Sequence, residues 1–246
     1  MSNKNLKWIY LLILSLVWGS SYILIKKSLI GLTPLQVGSL RTILSTLLLL
    51  IIGYSSIKTI PKNKWKWIAI TGYVSFIPPF LFAYAQTEID SALAAILNSL
   101  TPLATLLIGI GFYRFKIDSK QISGVILGLI GSVLLMYQGS IINPDQNIVY
   151  VIFIILASIL YALQVNLLKV YLQDVSAVAI TVGNFIFIFP FAVVIFFMTD
   201  YNELDLNDKD VSSALFYILI LSIFGTVFAK ILFNKFVQIA SPVFVS

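Results

Sequence analysis

Apolar side chains run along this chain in long blocks, at 8–25, 35–53, 67–86, 92–113, 122–139, 148–168, 177–198 and 213–233, and a ninth block begins near Ile239. Each of the first eight spans 18 to 22 residues with few or no charges. A helix rising about 1.5 Å per residue needs about that length to cross roughly 30 Å of hydrocarbon. Alternation with period two is missing, so the blocks predict transmembrane helices and not barrel strands. The breaks at 31–34, 58–66, 88–91, 114–120, 143–147, 173–176 and 200–210 hold turn and charged residues, and none is long enough to fold as a separate domain. Lys4 and Lys7 ahead of the first block imitate a signal peptide. The block is long for that role, however, no small-residue cleavage site follows it, and seven more blocks come after.

Composition agrees with this pattern and removes most chemistry. The 246 residues are 59% hydrophobic and 11% charged, against about 25% charged in globular chains. There is no Cys and no His, which excludes disulfides, thiol nucleophiles, zinc sites and histidine acid/base catalysis. No Asp or Glu lies inside a block, so an embedded carboxylate of the kind proton-driven pumps use is absent as well. Facilitated diffusion, exchange and coupling through the substrate's own protonation remain open. An intramembrane enzyme is disfavoured, and no cofactor or metal is expected. The acidic 200–210 loop lacks the spacing of a calcium loop and reads as a solvated outer loop.

The net charge of +6 reports topology. With a cytoplasmic N-terminus, the inner breaks and span ends collect twelve Lys or Arg (Lys4, Lys7, Lys58, Lys62, Lys64, Lys66, Arg114, Lys116, Lys120, Lys169, Lys230 and Lys235) against Asp118 and Asp174. The outer side collects Lys26, Lys27 and Lys209 against eight acidic residues. The positive-inside bias therefore predicts a multi-pass protein of the cell (inner or plasma) membrane, N-terminus inside, with no nucleic-acid partner. Trp8, Tyr10, Trp65 and Trp67 fall at cytoplasmic span ends, where amphipathic rings favour the headgroup region.

The chain also resembles itself. A shift of 143 residues lays Ser15 on Ser158, Trp18 on Tyr161, Lys26 on Lys169 and Arg41 on Asn184, and a shift of about 150 lays Ser91 on Ser241. The unit is five spans, and an odd number inverts the second copy in the bilayer. The expected fold is an all-α membrane protein, an inverted repeat of five plus five helices, with residues 1–140 as the first repeat and 148–246 as the second. Eight full spans and part of a ninth are present. On that reading the sequence is C-terminally truncated by about 45 to 55 residues, at about 20 per span.

Trp18-Gly19-Ser20-Ser21, Thr33-Pro34, Arg41, Asn98-Ser99-Leu100-Thr101-Pro102, the Gly124, Gly128 and Gly131 series and Ser241-Pro242 together resemble, in order and spacing, the EamA-like permeases of the drug/metabolite transporter superfamily. The resemblance covers the whole chain. It implies a cavity between the two halves, lined by spans 1, 3, 4, 6, 8 and 9, and a secondary transporter of small amphipathic metabolites such as amino acids, working by alternating access. A small-molecule metabolite and the lipid bilayer are the expected partners, with a second copy of the chain as a further candidate. A non-transporting fragment or partner-dependent subunit is the alternative.

The candidate substrate-binding residues are Trp18, Ser21 and Tyr22 in span 1, Arg41 in span 2, Tyr84 in span 3, Asn98 and Thr101 in span 4, and Ser158, Tyr161 and Gln164 in span 6. Arg41 lies about 10 Å below the outer surface by helical rise, where a charge must face protein or water. It reads either as an anion contact or as a structural group bonded to a neighbouring helix, the latter being preferred. Ala94, Asn98, Thr101, Thr105 and Gly109 share one face, serving helix packing or a cavity equally well. Pro102 removes a backbone bond to Asn98, and broken helices near mid-membrane commonly hold substrate. Aromatic residues with a few polar groups suit an amphipathic solute, or equally a core. The tandem Pro78 and Pro79 suggest a hinge. Lys230 is expected to snorkel to the cytoplasmic surface, and the glycine series to pack another helix closely.

Overall fold

The computed structural model describes residues 3–115, 118–142 and 147–246. Lys116, Asp145 and the break at 143–146 lie outside the described residues, as does the side chain of Lys4. The described chain is all helical, with no strand: α1 (Asn3–Ser28), α2 (Pro34–Gly53), α3 (Trp65–Glu88), α4 (Ser91–Asn98), α5 (Thr101–Tyr113), α6 (Ser119–Ile142), α7 (Val151–Tyr171), α8 (Ala177–Phe197), α9 (Lys209–Ile220), α10 (Ala229–Ile239) and α11 (Pro242–Val245). A π-helical stretch, Leu221–Phe228, joins α9 to α10.

Among the described residues, seven helical stretches are long and apolar enough to cross a membrane: Asn5–Ser28, Pro34–Thr59, Lys62–Glu88, Ser91–Tyr113, Val151–Tyr171, Ala177–Phe197 and Lys209–Ile239. They coincide with expected spans 1 to 4 and 6 to 8. The remaining run, 122–139, falls in α6, whose described apolar part is the shorter Ser119–Leu135. The last span runs beyond the expected end at 233. Two lysines interrupt the hydropathy there, yet Phe236 and Val237 are buried and the helix continues to Ile239.

Local chemistry sets the ends. Thr33 and Gln36 form a reciprocal capping box ahead of α2, and Asp90, Ser176, Asp208 and Ser241 accept backbone N–H bonds at the starts of α4, α8, α9 and α11. Pro34, Pro102 and Pro242 occupy first turns, where no amide proton is needed. α3 remains helical through Pro78 and Pro79.

Polarity is distributed inside out relative to a soluble bundle. Ser39, Ser45, Thr71, Thr105, Asn166 and Ser222 are fully buried, whereas Leu16, Ile51, Phe112 and Leu127 are 67%, 82%, 83% and 69% exposed. Water would penalise that surface and lipid does not. Most buried hydroxyls bond within their own helix, as Thr42 to the Gly38 carbonyl, Thr46 to Thr42 and Thr105 to Thr101. These bonds satisfy the hydroxyl without linking helices. The chain is a multi-pass membrane protein.

α2 lies along α8 and α3 along α7. The α3–α8 crossing depends on Gly72, where an added Cβ would stand 3.0 Å from the Asn184 carbonyl oxygen and 3.2 Å from its Cα. Gly124, Gly128 and Gly131 meet nothing within 4 Å and lie on the outer side of α6, so the close helix packing expected of them is not what the described chain shows. α6 touches α4 and α5 along its other face, where Ser132 approaches Ser99.

Two lysines tie helix ends together in matching fashion. Lys26 donates to the carbonyls of Gln86 (2.6 Å) and Ile89 (3.1 Å), joining α1 to the end of α3. Lys169 donates to those of Val237 (3.0 Å) and Ala240 (2.9 Å), joining α7 to the end of α10. Ammonium groups suit helix C-termini, where carbonyls lack intrahelical partners. The acceptors correspond at a shift of 151 residues, as do the caps Asp90 and Ser241, which moves the sequence register of this region by one.

In the turn between α7 and α8, Asp174 pairs with Lys64 at 2.7 Å, and Lys64 also donates to the Tyr171 carbonyl. The Lys64 ammonium, bonding to it, holds the Asp174 carboxyl below the usual carboxylate range. A depressed folded-state value stabilises the fold above the unfolded value, about 3.9, and this contribution fades as pH falls through the folded value. Replacing Asp174 by Asn should therefore lower thermal stability slightly at pH 6, and the difference from wild type should shrink as pH falls through the carboxylate range. Melting curves from pH 6 to 3 check this, and a difference that does not change with pH contradicts it.

Candidate functional site

A cavity of about 110 Å³ opens inside the bundle, lined from α1, α2, α3, the α4–α5 junction, α7, α10 and the 245–246 end. One water needs only roughly 10–15 Å³ by the same kind of measure, so a small solute is accommodated.

The α4–α5 junction forms because Pro102 cannot donate to the Asn98 carbonyl. The helix breaks at Ser99–Leu100, and the Thr101 hydroxyl lies 2.8 Å from that carbonyl and 3.1 Å from Asn98 Oδ1. Asn98 and Thr101 thereby reach the cavity wall. Lower on the same face, Thr105 and Gly109 pack on α7, where Asn166 donates to the Thr105 carbonyl at 3.1 Å. The polar stripe thus serves both roles that its spacing left open.

The π-helical stretch packs against α1 and α2, behind Trp18 and Arg41. Its wider turns change the backbone pairing, and the Gly225 carbonyl accepts from Trp18 Nε1 (3.1 Å) and from an Arg41 terminal nitrogen (3.2 Å). Arg41 Nε donates to Thr226 Oγ1 at 2.7 Å, while Ser222 donates back to the Arg41 carbonyl at 3.3 Å. Arg41, 9% exposed, is therefore bonded to a neighbouring helix and also lines the cavity.

Aromatic rings make the rest of the wall. Tyr22 meets Phe82 edge-on (5.6 Å between centroids), Phe82 stacks on Tyr161 (6.1 Å), and Trp18 tilts against Phe233 (5.2 Å). Lys230 enters between them. Its ammonium lies 5.2 Å from the Tyr161 ring centre and 6.0 Å from that of Phe233, and it donates to Gln164 Oε1 at 3.1 Å. Snorkelling is thus replaced by an inward cation, held by two π faces and an amide.

Eight of the ten expected residues line the cavity: Trp18, Ser21, Tyr22, Arg41, Asn98, Thr101, Tyr161 and Gln164. Ser158, fully buried, stands behind the wall with its hydroxyl 3.4 Å from Asn98 Oδ1. Tyr84 lies elsewhere, ring to ring with Phe153 at 6.2 Å. Phe82 takes the cavity position on α3, and two residues further along a helix turn the side chain by about 200°. Sequence reasoning missed Phe82 and Phe233, which carry no polar marker, along with the inward turn of Lys230.

The model of the EamA-like transporter family matches residues 6–137 and 148–246. Among curated proteins, an uncharacterized transporter of Archaeoglobus fulgidus is 31% identical over 136 residues, 52% of this chain and 47% of that protein. Protein PagO of Salmonella typhimurium is 26% identical over 124 residues, covering 49% and 41%. An uncharacterized transporter in the trpA 3′ region of Buchnera aphidicola subsp. Schlechtendalia chinensis is 23% identical over 167 residues, covering 66% and 55%. The matches therefore span about half the length of these relatives. A solved structure titled "Crystal structure of protein" aligns with TM-score 0.66 over 98% of this chain and 86% of its own, at 14% identity, a likeness of fold.

Proposed function

This chain belongs to the EamA-like transporter family, and from that premise we propose that it is a secondary transporter of small amphipathic metabolites such as amino acids, with the cavity between α1, α4–α5, α7 and α10 as its substrate site. The observation that carries the reading is that cavity. It is enclosed by helices from both halves of the chain, polar chiefly at Ser21, Arg41, Asn98, Thr101, Gln164 and Lys230, and mostly aromatic or aliphatic elsewhere. A few convergent polar groups in an apolar enclosure suit a small amphipathic solute.

Transport proceeds by alternating access between two inverted halves, 1–140 and 148–246, with the N-terminus cytoplasmic in the cell membrane. The matching ties of Lys26 and Lys169 support that symmetry: each joins the first helix of its half to the third. They stand at opposite ends of the bundle, since Lys26 closes α1 whereas Lys169 shares a second cavity with Lys7 at its start. Binding is non-covalent, and the rate is set by the rocking of one half on the other.

Counterflow of labelled amino acids and related metabolites into proteoliposomes tests the proposal. Saturable uptake driven by the same unlabelled compound inside is expected. No exchange across a broad panel refutes it.

A further inference from the structure

We infer that the cavity selects substrates of net negative charge: small organic carboxylates with a short apolar or aromatic body, held between Arg41 and Lys230, in preference to neutral or zwitterionic solutes. The inference rests on the transport reading above and narrows its substrate class from small amphipathic metabolites in general to acids, placing zwitterionic amino acids second.

Two cations line one small cavity, and among the described residues no Asp or Glu lines it with them. The partners of both are neutral: Thr226 Oγ1 and the Gly225 carbonyl for Arg41, Gln164 Oε1 and two rings for Lys230. Among the described residues one ion pair is formed, between Lys64 and Asp174, so neither cation is matched by an acidic side chain. Charges within a bilayer are retained where they meet a counter-charge, water or a transported ion. Two like charges around one cavity raise each other's cost, and an anion between them offsets both.

The donors match a carboxylate. Of the five N–H groups of a guanidinium, Arg41 uses two on protein, and Lys230 uses one of its three. Gln164, 1% exposed, adds a carboxamide nitrogen with no protein acceptor. This wall offers donors in excess, as a carboxylate, which only accepts, requires. A zwitterion would bring an ammonium into the same space, facing two cations with no acid to receive it. A cation would fare worse. The Trp18, Tyr22, Phe82 and Phe233 rings leave the remainder of the ligand an apolar seat.

Four compounds with one phenyl body and different charge test the inference: phenylacetate, phenylacetamide, phenylalanine and phenethylamine. Binding to the purified protein is read by titration of intrinsic fluorescence, and exchange by counterflow. Phenylacetate is expected to bind at least about tenfold more tightly than the other three, a difference of about 1.4 kcal/mol. Lys230→Gln should bring acid and amide within about twofold, while Lys230→Arg keeps the preference. Because Arg41 also holds α2 to the π-helical stretch, the decisive variants are those at Lys230, and gel filtration of each confirms that it folds. Equal binding of acid and amide to wild type, or a preference unchanged in Lys230→Gln, overturns the inference. Exchange of phenylalanine at equal rates in wild type and Lys230→Gln, without exchange of phenylacetate, overturns it while transport stands. Absence of exchange across the wider metabolite panel removes the transport reading and this inference with it.

Discussion

Replacing Gly72 by leucine is expected to destabilise the fold by about 3 kcal/mol, the upper part of the usual range for overpacking. The atoms that a Cβ would meet are the backbone of Asn184, at 3.0 to 3.5 Å, so no side chain can rotate away and α3 must separate from α8. Asn184 itself is 3% exposed, and its carboxamide lies 3.1 Å from Thr71 Oγ1, so separation also strands polar groups. Alanine at the same position should cost about 1 kcal/mol, since a shift of a few tenths of an ångström admits it. Leucine at Gly124, where nothing lies within 4 Å, should be neutral. Thermal melts of the three variants in one detergent check the order, and a Gly72→Leu protein as stable as wild type would show that α3 and α8 do not meet as described.

Trp18→Ala is expected to cost about 3 kcal/mol, the lower end for a large aromatic because the residue is only half-buried. Trp18 joins α1 to the last span twice, through its N–H to the Gly225 carbonyl and through its ring against Phe233. Trp18→Phe separates the two contributions: it keeps an aromatic face and removes the hydrogen bond, for about 1 kcal/mol. Counterflow should fall in the same order, wild type above Phe above Ala, because the Gly225 carbonyl is shared with Arg41 and its loss of one partner loosens the cavity wall. A Trp18→Ala protein with unchanged exchange would place the transport route elsewhere.

The spans were legible because bilayer length and apolarity are written in one dimension: each needs only its own residues. The cavity was half legible. Arg41, Asn98 and Gln164 announce themselves as polar groups where lipid should be, and all three reach the wall. Tyr84 did not, because a residue's side of a helix is decided by the phase of its neighbours, and Phe82 holds the inward phase on α3. Lys230 misled for a related reason. Near a span end, hydropathy favours an outward lysine, and what turns it inward is a pair of rings, one of them 69 residues away on α7. The π-helical stretch left no sequence signal either, since it lies where the span from α9 to α10 packs along α1 and the stretch itself meets α2. The lysine ties did leave one, the alignment of Lys26 with Lys169, but their acceptors are backbone carbonyls, which every residue possesses.

Each lysine tie fastens two helix ends within one half of the chain, and neither crosses the seam where α2 meets α8. In mechanical terms each tie is a rivet that makes one frame of the two helices it joins. A tug on the C-terminal end of α1 is carried to the end of α3, and one on α7 to the end of α10, so each pair of ends moves as a unit. Along the α2–α8 seam the contacts are mainly apolar surfaces and hydroxyls bonded within their own helices, whereas the crossings beside it are hydrogen-bonded, α2 to the π-helical stretch through Arg41 and α3 to α8 through Thr71 and Asn184, so shear between the halves is resisted there.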